Sequence, residues 1–267
     1  MTEPARRSHS TLSSVQNAAR LLKEYSKGNR DLGVTELSRR LGIGKSTAHR
    51  LVNTLALEGI LEQDPHTGSY RLGLVMYELG ASVSWHADLH EACSPVIDHL
   101  RNATKETVQI AVLDGREVVY VERRESQQTL RLFGRVGFRN DAHCTSTGKL
   151  LLASLQPHAL EPILNGWRLK PHTPHTIVRI DALRSELSEI RRKGWAENIN
   201  ESEMGVASVA APIRKGMGEV IAAVSVAGPL QRLTGDSLRR FARPCIEAGV
   251  AISRRLGYHE KPKGREQ

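Results

Sequence analysis

Val34-Thr-Glu-Leu-Ser-Arg-Arg-Leu-Gly-Ile-Gly-Lys-Ser-Thr-Ala-His-Arg-Leu51 is the stretch whose spacing decides the N-terminal fold. Counted from Val34, apolar residues stand at the fourth, eighth, tenth, fifteenth and eighteenth positions, which are Leu37, Leu41, Ile43, Ala48 and Leu51. Ser38 is the small residue needed where two helices touch, and Gly42 can take the positive φ of the tight turn between them. This is helix-turn-helix spacing. Thr35 is the expected N-cap of a helix over 36–41, and a second helix follows from about 44 to 58.

Projected at about 100° per residue, Ala48, Leu51, Val52 and Leu55 share one arc that must face a core. Ser46, Arg50 and Asn53 fall opposite, flanked by Thr47 and His49. Arg50 can pair with guanine through two hydrogen bonds and Asn53 with adenine, while Lys45 and the helix N-terminus suit phosphate. Upstream, 13–25 carries Val15, Ala18, Ala19, Leu21 and Leu22 on one helical face, with Ser13 or Ser14 as cap and Lys27-Gly28-Asn29 as its end. Downstream, Ile60 and Leu61 begin a strand, Asp64-Pro-His-Thr-Gly68 turns, and Tyr70-Arg-Leu72 returns. A hairpin after such a helix is a wing, from which His66, Ser69 and Arg71 reach phosphate or the minor groove. The apolar, helical stretch 74–85 suits a linker and a dimer contact.

Composition narrows the class. With 267 residues, 39% hydrophobic and 25% charged, the chain folds around a sizeable core and is not disordered. Aromatics at 4% argue against a base-stacking surface for single strands. The longest apolar run, 220–228, is too short for a bilayer, and the N-terminus lacks the apolar core of a signal peptide. Cys93, Cys144 and Cys245 are odd in number and far apart, so the expectation is a cytoplasmic protein with reduced thiols. The net charge of +9 sits at the ends: +6 in 1–52, +3 in 250–267, and zero between. A basic segment of that kind points to a polyanion.

The remaining two-thirds reads as α+β. A helix is expected over 89–102 with Pro95 near its start, then a hairpin of 108–113 and 117–122 around Asp114-Gly115, and a third strand over 129–133. Ser146 or Thr147 starts a helix running to 155. Asp181 caps another that buries Leu183, Leu187 and Ile190 before Gly194. Strands follow over 206–213 and 220–227. A last helix buries Leu238, Phe241, Cys245, Gly249 and Ile252, with Pro244 bending it or marking its start. The helix start at Ser146-Thr-Gly148 favours an anion such as a carboxylate.

Other motifs fall away. Gly148-Lys149 has His143 and Leu150 where a phosphate-binding loop needs glycine and a hydroxyl residue. His143-Cys144 suggests a thiol nucleophile or half a metal site, but no ligand spacing lies nearby; His86, Asp88 and His90 are a further metal alternative. The expectation is no metal, no cofactor and no catalytic residue. The alternatives are a thiol enzyme or redox sensor built on Cys144, and an architectural DNA binder without a ligand.

Residues 35–80, above all Lys45-Ser-Thr-Ala-His-Arg50 and Tyr70-Arg-Leu-Gly73, resemble the N-terminal domain of the isocitrate-lyase regulator (IclR) family of bacterial transcription factors. The resemblance continues through 143–152, 191–195, 201–212 and 222–229. It implies a winged helix-turn-helix over 11–73, a linker helix over 74–87 and a GAF-like effector-binding domain over 88–258. It also implies homodimers or dimers of dimers on near-palindromic double-stranded operators, with no role at a membrane. The organic-acid pocket carried over is Leu132, Asn140, Ser146, Thr147, Gly148, Asn198, Val206, Ser208, Ser225 and Ala227. Asn198, Ser208 and Ala227 replace the Asp, Cys and Ser of members that take small keto acids, which implies the same pocket with a different ligand. The resulting expectation is a repressor, not an enzyme, whose operator binding responds to a small carboxylate.

Overall fold

The structure, a computed structural model, describes residues 12–258. The basic residues Arg6, Arg7, Lys261, Lys263 and Arg265, which carry much of the terminal charge, lie outside the described residues. The chain divides into two compact units after Ser84.

The first unit contains helices α1 (Ser13–Tyr25), α2 (Val34–Leu41) and α3 (Lys45–Leu57), the hairpin of β1 (Leu61–Gln63) and β2 (Tyr70–Leu72), and α4 (Leu74–Ala81). Leu21, Leu37 and Val52 are fully buried and bring one face of each helix into a single core with Leu61 and Tyr70. Gly42 ends α2 at φ +68°, and the Ser38 hydroxyl donates to the Ile43 carbonyl at 2.7 Å across the turn. The helix-turn-helix therefore forms as its spacing requires. The caps do not: Leu12 and Gly33 occupy the N-cap positions of α1 and α2, and neither helix start is closed by a side chain. Val34 packs against the core, so α2 begins two residues early and draws Thr35 inside its first turn. The linker stretch is not one helix either, since α4 stops at Ala81 and α5 (Ser84–Thr104) starts after Ser82 and Val83.

The second unit is one antiparallel sheet with helices on both faces. After α5 come β3 (Thr107–Asp114), β4 (Glu117–Arg124), β5 (Arg139–Asp141), a single 3-10 turn (Ala142–Cys144), α6 (Ser146–Ser154), α7 (Pro157–Leu164), α8 (Ile180–Lys193), β6 (Ala196–Ile199), β7 (Val206–Lys215), β8 (Glu219–Pro229) and α9 (Gly235–Arg255). The strand order is β5-β4-β3-β8-β7-β6. Alternation along the strands separates two cores. Val108, Ile110, Val209, Val224 and Val226 pack with α5 and α9, while Ala111, Ala210 and Ala223 pack with α6 and α8.

Several expectations for this unit are corrected. Residues 129–133 are not a strand: Leu130 and Phe133 are exposed, so their alternation has no core to face, and β5 takes the sheet edge instead. Thr145 caps α6, its side chain accepting from the Gly148 amide at 3.1 Å, so Ser146 and Thr147 are the first helical residues and not the cap. Asp181 likewise lies inside the first turn of α8, behind Arg179. Pro244 sits within a continuous α9. Among the described residues no helix is long and apolar enough to cross a membrane.

Candidate DNA interface and ligand cavity

On α3, Lys45, Ser46, Thr47, His49, Arg50 and Asn53 are exposed, while Ala48, Val52 and Leu55 are buried. Gly44 stands at the N-cap without a side chain to close it, so the first amides of α3 point outward as free donors. Pairing separates the basic residues of this unit. Arg39 and Arg40 both bind Glu36, at 2.7 and 2.6 Å, and hold its carboxyl down at about 2. Lys27 binds Glu24, and Arg71 binds Glu62 at 2.8 Å. Lys45 and Arg50 form no ion pair among the described residues, which leaves their charge available to phosphate or a base edge.

Three expected contacts look different in place. The Asn53 Oδ1 accepts from the Tyr70 hydroxyl at 3.0 Å, so this side chain ties α3 to the wing and its acceptor is already used. Arg71 is neutralised by Glu62 across the hairpin. Ser69 is half-buried and bonded to Thr67. His66 stands exposed at the wing tip, where the Asp64 carboxylate accepts from the His66 and Thr67 amides at 2.8 and 2.9 Å. Those bonds hold the Asp64 carboxyl below its ordinary range.

In the second unit a cavity of about 620 Å³ opens between the sheet, the start of α6 and the segment after β4. Leu132, Asn140, Ser146, Asn198, Val206, Ser208, Ser225 and Ala227 line it. Thr147 and Gly148 do not. Thr147 is buried beside Asn140 against the Tyr120 hydroxyl, where burial holds the phenol above its ordinary pKa and the two side chains oppose that push only in part. Gly148 is a packing residue: a Cβ there would stand 2.3 Å from the Ala142 carbonyl oxygen, so only glycine lets α6 lie this close to the preceding turn.

The cavity floor consists of two rungs of the sheet. Asn198, Ser208 and Ala227 are register partners in one, and Arg123, Gln109 and Ser225 in the other. Arg123 is the residue that sequence reasoning missed. Ile110 pairs with Glu122 but Ala111 with Tyr120, so Val121 is the extra residue of a β-bulge. Strict alternation from Tyr120 would aim Glu122 and Arg124 at the cavity. The bulge reverses this: Arg123 lines the cavity, and Glu122 and Arg124 bond His90, Ser94 and Asp98 on α5. The Arg123 side chain is only 4% exposed. One guanidinium nitrogen donates to the Leu132 carbonyl at 2.7 Å, Nε has no hydrogen bond among the described residues, and the Glu125 carboxylate stands 3.8 Å from that Nε. Burial presses the Arg123 pKa below its ordinary value, which marks a cation short of counter-charge.

A larger cleft of about 800 Å³ lies between the end of α6, α8 and the β7–β8 hairpin. Its arginines are already engaged, Arg191 with the Ala153 carbonyl and Arg214 with the Gly218 carbonyl.

Residues 14–65 match the IclR helix-turn-helix domain, and residues 81–254 match the description "Bacterial transcriptional regulator IclR C-terminal". This chain belongs to the IclR family. It is 35% identical to the HTH-type transcriptional regulator XynR of Escherichia coli K12, over 92% of this chain and 98% of that protein. It is 34% identical to KdgR of the same organism, over 87% and 89%. A solved IclR homolog from Microbacterium hydrocarbonoxydans, complexed with 4-hydroxybenzoate, matches with a TM-score of 0.82 and 30% identity over 91% of this chain and 99% of that one.

This IclR-family chain is therefore a DNA-binding transcriptional regulator with a C-terminal ligand-binding domain, and not an enzyme. The thiol-enzyme alternative is corrected on physical grounds as well. Cys144 is buried, and burial pushes its thiol up to about 12, so it carries no reactive thiolate at neutral pH.

Proposed function

We propose that this regulator is a cytoplasmic repressor that binds its operator as a homodimer and responds to a hydroxylated organic acid. The observation that carries the ligand class is Arg123, a buried cation with an unused Nε in a polar cavity. The amide of Ser146, free by its place in the first turn of α6, adds a donor at the cavity wall. Gln109 and Ser225 make no side-chain hydrogen bond among the described residues, and Ser208 offers a further hydroxyl. A ligand without hydroxyls leaves such groups unpaired, which costs affinity. Glu203 lies on the exposed rim and repels an anion only weakly. The 4-hydroxybenzoate complex of the relative supports an acid as effector, and Tyr120 and Phe138 make aromatic acids the competing class.

On the DNA side, Lys45 and the start of α3 take phosphate, and Ser46, Thr47, His49 and Arg50 face the bases. His66 reaches from the wing. Asn53 positions α3, and Ser69 and Arg71 contribute less because both are already bonded. Leu74, Tyr77 and Leu79 of α4 are exposed large apolar groups, which supports a self-complementary contact that forms the dimer.

Selection of duplexes from a random library tests the DNA reading. Full-length chain enriches a near-palindromic site, and Arg50→Ala loses about 1–3 kcal/mol on that site and relaxes preference at one base pair per half-site. Unchanged affinity and preference in Arg50→Ala would remove Arg50 from the interface. A thermal-shift panel of aldonic acids, small keto acids and aromatic carboxylates tests the ligand class, with stabilisation by the aldonic acids expected. Stabilisation by aromatic or keto acids alone contradicts it.

A further inference from the structure

Beyond the effector cavity, the fold assembles three metal-ligating groups that lie apart in sequence. His143 and Cys144 form the 3-10 turn before α6, and His172 comes from the segment between α7 and α8. One ligand atom from each lies within 4.8 Å of the others. His143 and Cys144 are buried, and the His172 side chain is 26% exposed.

The hydrogen bonds around the cluster decide which atoms are free. His143 Nε2 lies 3.0 Å from the Lys170 carbonyl, an acceptor only, so Nε2 carries the proton and Nδ1 keeps its lone pair. That Nδ1 is buried and has no hydrogen-bond partner among the described residues. His172 Nε2 lies 2.7 Å from an Asp141 carboxylate oxygen, which again leaves Nδ1 as the free nitrogen. A carbonyl or carboxylate behind each imidazole is the outer-shell arrangement that orients histidines on a metal. Trp167 meets His143 edge-on, with ring centroids 5.5 Å apart, and closes one side of the cluster. An orphaned buried nitrogen otherwise costs stability, so its retention beside a thiol and a second imidazole needs an explanation.

We propose that His143, Cys144 and His172 form a binding site for one thiophilic divalent cation, zinc before others. Two imidazoles and one thiolate are a borderline-soft donor set that suits zinc and excludes magnesium and calcium. Tetrahedral zinc with bonds of about 2.0 Å to nitrogen and 2.3 Å to sulfur places neighbouring ligand atoms roughly 3.3–3.5 Å apart. One ligand atom of each residue already lies within 4.8 Å of the others, so closure to these spacings takes about 1.5 Å, a change that side-chain rotation supplies. On binding, the Cys144 S–H proton passes to solvent and the thiolate joins the metal. With water as fourth ligand, the site staples the turn before α6 to the α7–α8 segment. Asn140 and Thr145, which bracket that turn, both line the effector cavity, so the staple fixes one wall of it. The site stands whatever the effector is.

The test uses full-length chain, stripped with a chelator and free of any affinity tag. After exposure to zinc and dialysis, elemental analysis finds one equivalent per chain. Cobalt(II) loading gives a thiolate-to-metal charge-transfer band that Cys144→Ser abolishes. His172→Gln, at a partly exposed position that leaves the core intact, cuts retained zinc by at least half. His175→Gln, an exposed control nearby, leaves it unchanged. No retained zinc, no charge-transfer band, or equal zinc in His172→Gln and the unsubstituted chain would overturn the proposal.

Discussion

Lys149→Met is expected to destabilise the effector domain by about 3–5 kcal/mol at neutral pH, the usual cost of leaving a buried charge without its partner. The Lys149 side chain is 2% exposed, and its ammonium lies 2.6 Å from Glu201 and 2.9 Å from Glu186. Methionine has nearly the same length, so the loss is electrostatic and not a cavity effect. Glu201 is the group left stranded. Burial already raises its carboxyl above the ordinary range against the pull of Lys149, and its Oε2 has no hydrogen bond among the described residues. Removing the ammonium raises that carboxyl further. The unfolded chain then releases the Glu201 proton at its ordinary pKa while the folded chain still holds it. Stability is therefore highest below the unfolded pKa, and it is lost as pH rises toward the folded one. Urea unfolding at pH 5.0 and 7.5 should show a smaller gap between variant and unsubstituted chain at the lower pH, and Glu201→Gln added to Lys149→Met should restore part of the stability. An equal gap at both pH values would show that Glu201 is not the stranded charge.

Arg123→Met is expected to weaken effector binding about 30- to 1,000-fold, equivalent to roughly 2–4 kcal/mol, with stability unchanged or raised. The two effects separate because they have different origins. The guanidinium is desolvated and short of counter-charge in the free protein, so an apolar replacement of similar length removes a cost of folding. The same shortage makes an incoming carboxylate favourable, since it finds a cation already dehydrated. Calorimetric titration with the acid that stabilises the unsubstituted chain measures the first effect, and thermal unfolding without ligand measures the second. Unaltered affinity would place the carboxylate elsewhere in the cavity.

The parts of this molecule legible in the sequence are those set by local periodicity. Leu37, Leu41, Ala48 and Leu51 recur at helical spacing, and Gly42 directly after Leu41 suits φ +68°, so the helix-turn-helix follows from a stretch of eighteen residues. The hairpin of β3 and β4 is legible for the same reason. What was illegible depends on partners distant in the chain. Arg123 faces the cavity only because Val121 bulges against β3, and alternation read along β4 aims it at the opposite face. His172 reaches His143 and Cys144 through a loop with no periodicity of its own. Asn53 looks like a base-reading residue until β2 brings the Tyr70 hydroxyl to it. Gly148 reads as part of an anion-binding helix start, whereas its lack of a Cβ serves contact with Ala142.

The central claim is that an acid held by Arg123 governs how this regulator binds DNA. It is tested most directly by titrating full-length chain onto its selected duplex at fixed salt, with and without a saturating stabilising acid, for the unsubstituted chain and for Arg123→Met. The expected result is a change in duplex affinity of at least about fivefold for the unsubstituted chain, a coupling of 1 kcal/mol or more, with Arg123→Met binding the duplex normally and ignoring the acid. Duplex affinity that does not change with the acid, or an Arg123→Met chain that responds as fully as the unsubstituted one, would contradict the account.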